Sequence, residues 1–328
     1  MRPFDYASPT TVDEVITLLG QEGDSTTRPF AGGTDLLTLM KADITAPSRL
    51  VNLKQLDDLP RGVEETGDAL ALGALTTLTE IETHPLIQER YPLLAEAAAL
   101  AATPQLRNMA TLGGNLLQRP RCWYFRNPRF HCWLKCGEEC QARTGENQHH
   151  AIFDRSPCVA VHASDLAPAL LALEATVRLR GQHRERVLPL DEFFALPTDA
   201  RRTETVVGND EIVLAVQLAP LPEGSRSTYL KAMDRKVWSF ALVGVAAVVG
   251  MAGRRIEEAR LVLSSVAPIP WRAEAAEQAL IGTEVGEKAF ARAADAALAD
   301  AAPLQHNAYK LPLARSLIRR ALTTLAQV

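Results

Sequence analysis

The sequence predicts an α+β protein of more than one domain, and three observations carry that expectation. Its 328 residues suit two or three domains, since single domains mostly run about 100–200 residues. Up to Pro220, short strands and short helices are interspersed. After the change of texture at Pro220, Leu221, Pro222, Glu223 and Gly224, the strands come first and three helices follow together, an α+β order.

In chain order, Thr11 and Glu14 make a capping-box pair, and Val12, Val15, Ile16 and Leu19 repeat at helical spacing until Gly20 stops the run. Residues 28–31 read as a strand, 32–35 as a tight turn, and a helix starts at Leu36. Strands follow at 50–53 and 69–74. Thr77 with Glu80 caps a second short helix, and residues 93–102, rich in Ala and Leu, read as a third. Residues 158–161 read as a short buried strand. Ser164 caps a helix through Leu166, Leu170 and Leu173. Residues 176–180 and 211–218 are strands. Beyond residue 220 come strands at 228–233, 242–249 and 260–265, then helices at 272–281, 288–299 and 312–325.

Composition excludes several function classes. Basic and acidic residues nearly balance, 35 against 39, with no block of like charge, so nothing calls for nucleic acid or an anionic membrane. The longest apolar run, residues 240–251, falls short of the roughly 20 residues a bilayer span needs. The N-terminus lacks the apolar core of a secretory signal, so the chain by itself is expected in the cytoplasm, or in the periplasm by export on a tagged partner. No Walker loop, dinucleotide fingerprint, nucleophile elbow or metalloprotease motif occurs.

Three features carry chemistry. All five cysteines lie in one segment, at 122, 132, 136, 140 and 158, a poor disulfide framework but a credible thiolate cage. Such a cage holds a metal or an iron–sulfur cluster. His131, His149 and His150 flank it, which leaves a mixed Cys/His zinc site open. Arg121 and Arg126 either solvate this loop or offset cluster charge, and Trp123, Tyr124 and Phe125 pack around it. Next, Ala31, Gly32, Gly33, Thr34 and Asp35 lie between a strand and a helix start. Thr111, Leu112, Gly113, Gly114 and Asn115 form a second loop of the same kind. Paired glycines let backbone amides close on an anion, and each also serves as a plain tight turn. Together they could grip one pyrophosphate from two sides. Lastly, Asp165 opens a helix after His162, Ala163 and Ser164, where a carboxylate either stabilises the helix start or accepts a ribose or flavin hydrogen bond.

These residues, taken in order with Phe4, Asp5 and Tyr6, Gln105 to Asn108, Phe240 to Val243, Val266 to Pro268 and His306 to Lys310, resemble the FAD-binding medium subunit of the xanthine dehydrogenase family of molybdenum hydroxylases. The cysteine insertion, with Arg121 and Arg126 around Cys122, is similar to the sub-group whose flavin subunit carries an extra [4Fe–4S] cluster, the periplasmic aldehyde oxidoreductases. The resemblance implies a two-subdomain FAD-binding fold of the vanillyl-alcohol-oxidase/PCMH type at 1–58 and 59–220, with the Fe–S insertion at about 117–158. An α+β domain of the CO dehydrogenase flavoprotein type follows at 221–328. It implies FAD held by Arg28, Pro29, Phe30, Ala31, Gly32, Gly33, Thr34, Asp35 and Leu36, closed by Thr111, Gly114 and Asn115. Asp165, Val213 and Lys231 would lie near the flavin or its tail. It makes Cys122, Cys132, Cys140 and Cys158 the cluster ligands and Cys136 the departure from the pattern, with no catalytic residue of the chain's own. The expected partners are a molybdopterin-binding large subunit, a small subunit with two [2Fe–2S] clusters, and an external electron acceptor. The rival readings are a stand-alone flavin dehydrogenase, for which no substrate base is found, and a zinc-stabilised scaffold without redox function.

Overall fold

The computed structural model describes residues 1–21 and 26–327. In chain order the strands are β1 (Asp5–Ala7), β2 (Thr27–Phe30), β3 (Arg49–Asn52), β4 (Val63–Thr66), β5 (Ala69–Gly73), β6 (Thr176–Arg180), β7 (Glu185–Pro189), β8 (Ile212–Leu218), β9 (Arg226–Ala232), β10 (Val243–Ala252), β11 (Arg255–Ser264) and β12 (Trp271–Arg272). The helices are α1 (Val12–Leu19), α2 (Leu36–Lys41), α3 (Leu78–Thr83), α4 (Pro85–Arg90), α5 (Pro92–Ala99), α6 (Pro104–Arg107), α7 (Leu112–Leu116), α8 (Leu166–Ala172), α9 (Leu190–Phe193), α10 (Glu274–Leu280), α11 (Glu287–Ala297) and α12 (Lys310–Ala326).

The strands form three sheets among the described residues. The first is parallel, in the order β1-β3-β2. The second is antiparallel, β4-β5-β8-β6-β7, and β8 returns from far along the chain to lie between β5 and β6. The third is β12-β11-β10-β9, also antiparallel.

Both capping boxes form. Thr11 Oγ1 accepts from Glu14 N while Glu14 reaches back to the Thr11 amide, and Thr77 with Glu80 does the same. The apolar run at 240–251 becomes β10, whose residues 243–250 are all buried. One face meets the cluster that includes Leu94, Leu170, Tyr229 and Val248; the other meets Phe290, Ile318 and Leu322 of the C-terminal helices. A strand covered on both faces has no reason to alternate.

Two expectations need correction. Residues 158–161 join no sheet. The amides of Val159 and Ala160 go to the sulfurs of Cys140 and Cys158, so they are unavailable for a ladder. Arg272 belongs to β12 and not to a helix; α10 starts at Glu274 because the Ala273 amide pairs with Leu261 O.

Candidate flavin and thiolate site

The parallel sheet delivers β2 directly into residues 31–35 and then α2. Gly33 sits at φ 69°, a left-handed conformation that costs other residues about 1–2 kcal/mol. A Cβ on Gly32 would stand 1.9 Å from Met109 O, so this loop lies flat on the backbone leading into the second glycine loop. Among the described residues, the amides of Gly32, Gly33, Thr34 and Asp35 donate no hydrogen bond. Neighbouring amides without partners make an anion-binding concavity.

The second loop is built differently. Thr111 caps α7, its hydroxyl accepting from Gly114 N at 3.3 Å. Leu112 N donates to Thr76 O at 2.8 Å, Gly113 N to Ala74 O at 3.0 Å, and Asn115 N to Thr111 O at 2.8 Å. Its amides are thus committed within the protein, and it offers surface in place of donors. The two loops differ in kind, which their shared Gly-Gly pair hid.

Both loops line one cavity of about 530 Å³, within the usual range for cofactor sites. Arg28, Pro29, Phe30, Ala31, Gly32, Gly33, Thr34, Asp35, Leu36, Thr111, Gly114 and Val213 all border it. A smaller cavity of about 100 Å³ adjoins, sharing Thr34, Asp35, Gly114 and Gln118 and adding Asn115, Asp165, Trp238 and Phe240. Lys231 borders neither. Its Nζ donates to Asp165 Oδ2 at 2.8 Å and to Leu100 O at 2.9 Å. Asp165 Oδ1 accepts from the Tyr229 hydroxyl at 2.7 Å. Burial pushes the Asp165 carboxyl up, and Lys231 and Tyr229 hold it down. Asp165 therefore anchors β9 to the start of α8 from the edge of the smaller cavity.

The cysteine segment packs beside these cavities. Cys122, Cys132, Cys140 and Cys158 share one cluster with Leu39, Phe125, Trp133 and Ala160, whereas Cys136 is exposed, at φ 66°. Backbone amides lie near each of the four sulfurs, those of Tyr124 and Phe125 by Cys122, Leu134 by Cys132, and Ala142 and Val159 by Cys140, and the Ala160 amide donates to Cys158 Sγ at 3.3 Å; the Lys135 amide goes instead to Cys132 O at 2.7 Å. Amide donors favour the charged thiolate over the thiol. Burial nevertheless pushes the Cys122 thiol up to about 12, while the Cys140 thiol, hydrogen-bonded to Cys158, falls to about 6. His150 Nε2 lies 3.1 Å from Cys122 Sγ. Among the described residues, no three His, Cys, Asp or Glu side chains converge to hold a single metal ion.

Sequence reasoning missed the link between these halves. Asp35 Oδ1 accepts from Arg121 Nη1 at 2.5 Å and Arg126 Nη2 at 2.7 Å, and its Oδ2 accepts from Arg119 N at 2.9 Å. Arg119 also pairs with buried Glu204 at 3.0 Å. The arginines spaced around Cys122 were the available signal; their partner lies more than eighty positions upstream. Leu134, Lys135 and Cys136 reach the larger cavity, also unforeseen.

Comparison with known proteins decides the family. Residues 2–221 match the model of the FAD binding domain in molybdopterin dehydrogenase, and residues 228–325 match the CO dehydrogenase flavoprotein C-terminal domain. This chain belongs to the FAD-binding medium subunits of the molybdenum hydroxylases. It is 37% identical over 289 residues to the aldehyde oxidoreductase FAD-binding subunit PaoB of Escherichia coli K12, covering 87% of each chain. With the carbon monoxide dehydrogenase medium chain of Hydrogenophaga pseudoflava it shares 31% over 323 residues, 97% of this chain and 96% of that one. The solved carbon monoxide dehydrogenase of H. pseudoflava that lacks the Mo-pyranopterin moiety superposes with TM-score 0.78 at 30% identity, over 98% of both chains. The two-part FAD-binding and C-terminal fold expected of such a subunit is therefore present. FAD binding agrees with the unpartnered amides and the cavity they border.

Proposed function

We propose that this medium subunit carries electrons within a heterotrimeric molybdenum hydroxylase of the aldehyde-oxidising kind. Electrons taken from substrate by a molybdopterin-bearing large subunit would arrive by way of a small subunit with two [2Fe–2S] clusters. They would leave from this chain to an external acceptor. The kinship with an aldehyde oxidoreductase FAD-binding subunit supports the substrate class, and the kinship with medium chains supports the assembly.

The observation that carries the reading is the adjacency of an open amide nest at residues 32–35 and a set of four amide-solvated thiols. In this reading the amides of Gly32, Gly33, Thr34 and Asp35 hold the FAD diphosphate, and Thr111 and Gly114 form the opposite wall. Gly32 keeps the loop pressed on Met109, Val213 fills the floor from β8, and Lys231 acts through Asp165. Bound FAD supplies the redox chemistry, and the protein supplies placement and electrostatics. Cys122, Cys132, Cys140 and Cys158 would hold a [4Fe–4S] cluster, whose ordinary donor set is four thiolates. The amides aimed at the sulfurs stabilise the charge such ligands carry. Cys136, exposed at the border of the larger cavity, is the spare. The division into 1–58, 59–220 and 221–328 is proposed with it.

Purification of the chain with its genomic neighbours tests this. Two different partner subunits, flavin absorption and iron with acid-labile sulfide are expected. Stoichiometric zinc without iron would replace the cluster with a structural clip, and robust aldehyde oxidation by the isolated chain would refute the subunit reading.

A further inference from the structure

We propose that the cysteine cage and the flavin loop form one cooperative unit coupled through Asp35, so that loss of the cluster weakens FAD binding and loss of FAD loosens the cluster. The proposal rests on the reading above that the four cysteines take a cluster.

Asp35 occupies the N-cap position of α2, where a carboxylate ordinarily accepts from the first helical amides, yet it makes no capping bond. Both its oxygens turn across to residues 119–126. That turn is also where the cage begins. Arg126 N donates to Cys122 O at 2.9 Å, and the Arg126 guanidinium returns to Pro120 O at 2.7 Å and Arg119 O at 2.8 Å. The amides of Tyr124 and Phe125, inside the same turn, point at Cys122. One short stretch of chain thus presents Cys122 on one side and three donors to Asp35 on the other.

Two physical consequences meet at Asp35. Its backbone belongs to the amide nest, so whatever fixes its side chain also fixes the nest. Its carboxylate would repel a diphosphate if left bare. Here Arg119, Arg121 and Arg126 face Asp35 and Glu204, three cations against two anions, which leaves one surplus positive charge. From residue 117 to 158 the chain holds only two single-turn 3-10 helices. Ligation of its thiols therefore supplies much of its order, because binding free energy in such a segment is folding free energy. Without ligation, Arg119, Arg121 and Arg126 lose their fixed positions, and Asp35 loses both its restraint and its neutralisation. Coupling between two sites is reciprocal.

The test uses the purified full chain. Iron and acid-labile sulfide are measured first. FAD affinity is then determined by flavin fluorescence on flavin-stripped protein, before and after iron is removed with a chelator. Wild type should lose about tenfold in FAD affinity on iron removal, within the usual range of site-to-site coupling. FAD should slow iron release in return. In Asp35→Asn the same removal should change FAD affinity less than about twofold, whatever the absolute affinity of the variant. The ratio is the readout, because Asn also removes a charge. Arg126→Lys, which keeps the charge but not the forked donor, should lose part of the coupling and supplies the comparison if Asp35→Asn does not fold. Unchanged FAD affinity in iron-depleted wild type, or an equal loss in Asp35→Asn, overturns the coupling and leaves the cluster standing. Absence of iron from fresh wild-type protein overturns both.

Discussion

Gly114→Leu should separate FAD binding from folding. A Cβ built on Gly114 meets only Thr111 Oγ1, at 3.0 Å, and otherwise faces open space. Gly114 borders both the larger and the smaller cavity, at the place where they join. A leucine there projects into the ligand's path and touches little else. Within α7 the change removes a helix glycine, a gain of about 0.5–1 kcal/mol, while its Cβ crowds the Thr111 hydroxyl that caps the helix, a loss of about 1 kcal/mol, so the two offset in the apo chain. In the cavity it overpacks the bound state by about 1–3 kcal/mol, roughly a 5- to 150-fold loss of FAD affinity at 1.4 kcal/mol per decade. Fluorescence titration of flavin-stripped protein gives the affinity, and thermal melting of the same sample gives the stability. Wild-type FAD affinity in Gly114→Leu would refute the placement of the diphosphate beside this wall. A large fall in apo-protein melting temperature would refute the reading of Gly114 as a cavity residue.

Gly32→Ala should behave in the opposite way, lowering both apo stability and FAD retention, because its Cβ meets a backbone carbonyl that cannot swing aside; a melting temperature equal to wild type would count against the loop-on-loop contact. Single Cys→Ser changes at Cys122, Cys132, Cys140 and Cys158 should each lower iron content or convert the cluster, while Cys136→Ser leaves iron and sulfide unchanged; loss of the cluster in Cys136→Ser alone would reassign the ligands. Lys310 is buried, its Nζ donating to the carbonyls of His149, His150 and Ser265, and burial lowers it from 10.5 to about 7. Unfolding then takes up a proton between about pH 7 and 10.5, so this group makes stability rise with pH across that window. Denaturant melts at several pH values should show that slope flattened in Lys310→Met; an unaltered slope would show that Lys310 does not set it.

Much of the fold could be read from sequence because its signals are local. Thr11 with Glu14 and Thr77 with Glu80 cap their helices through neighbours three positions away, and β6 coincides with the predicted strand. What was missed depends on distant partners. β4 is a polar edge strand, Val63–Thr66, recognisable only once β5 lies beside it. β7 ends in Pro189 and leaves Val187 exposed, as edge strands tolerate. Residues 158–161 have strand composition, but their amides serve sulfur. At the site, the glycine loops announced themselves, and residue types placed Asp35 in one of them. Its use as an acceptor for Arg121 and Arg126 needed the chain folded back on itself. Nor could spacing show that the amides of residues 112–115 are already taken by Thr76, Ala74 and Thr111.

Cofactor content of the purified full chain tests the account most directly, with flavin identified after heat release and iron, acid-labile sulfide and zinc determined on the same sample. The account predicts one FAD per chain, iron and sulfide in the proportions of a single [4Fe–4S] cluster, and no zinc. Protein that carries zinc in place of iron, or that binds no FAD while folded, would contradict it.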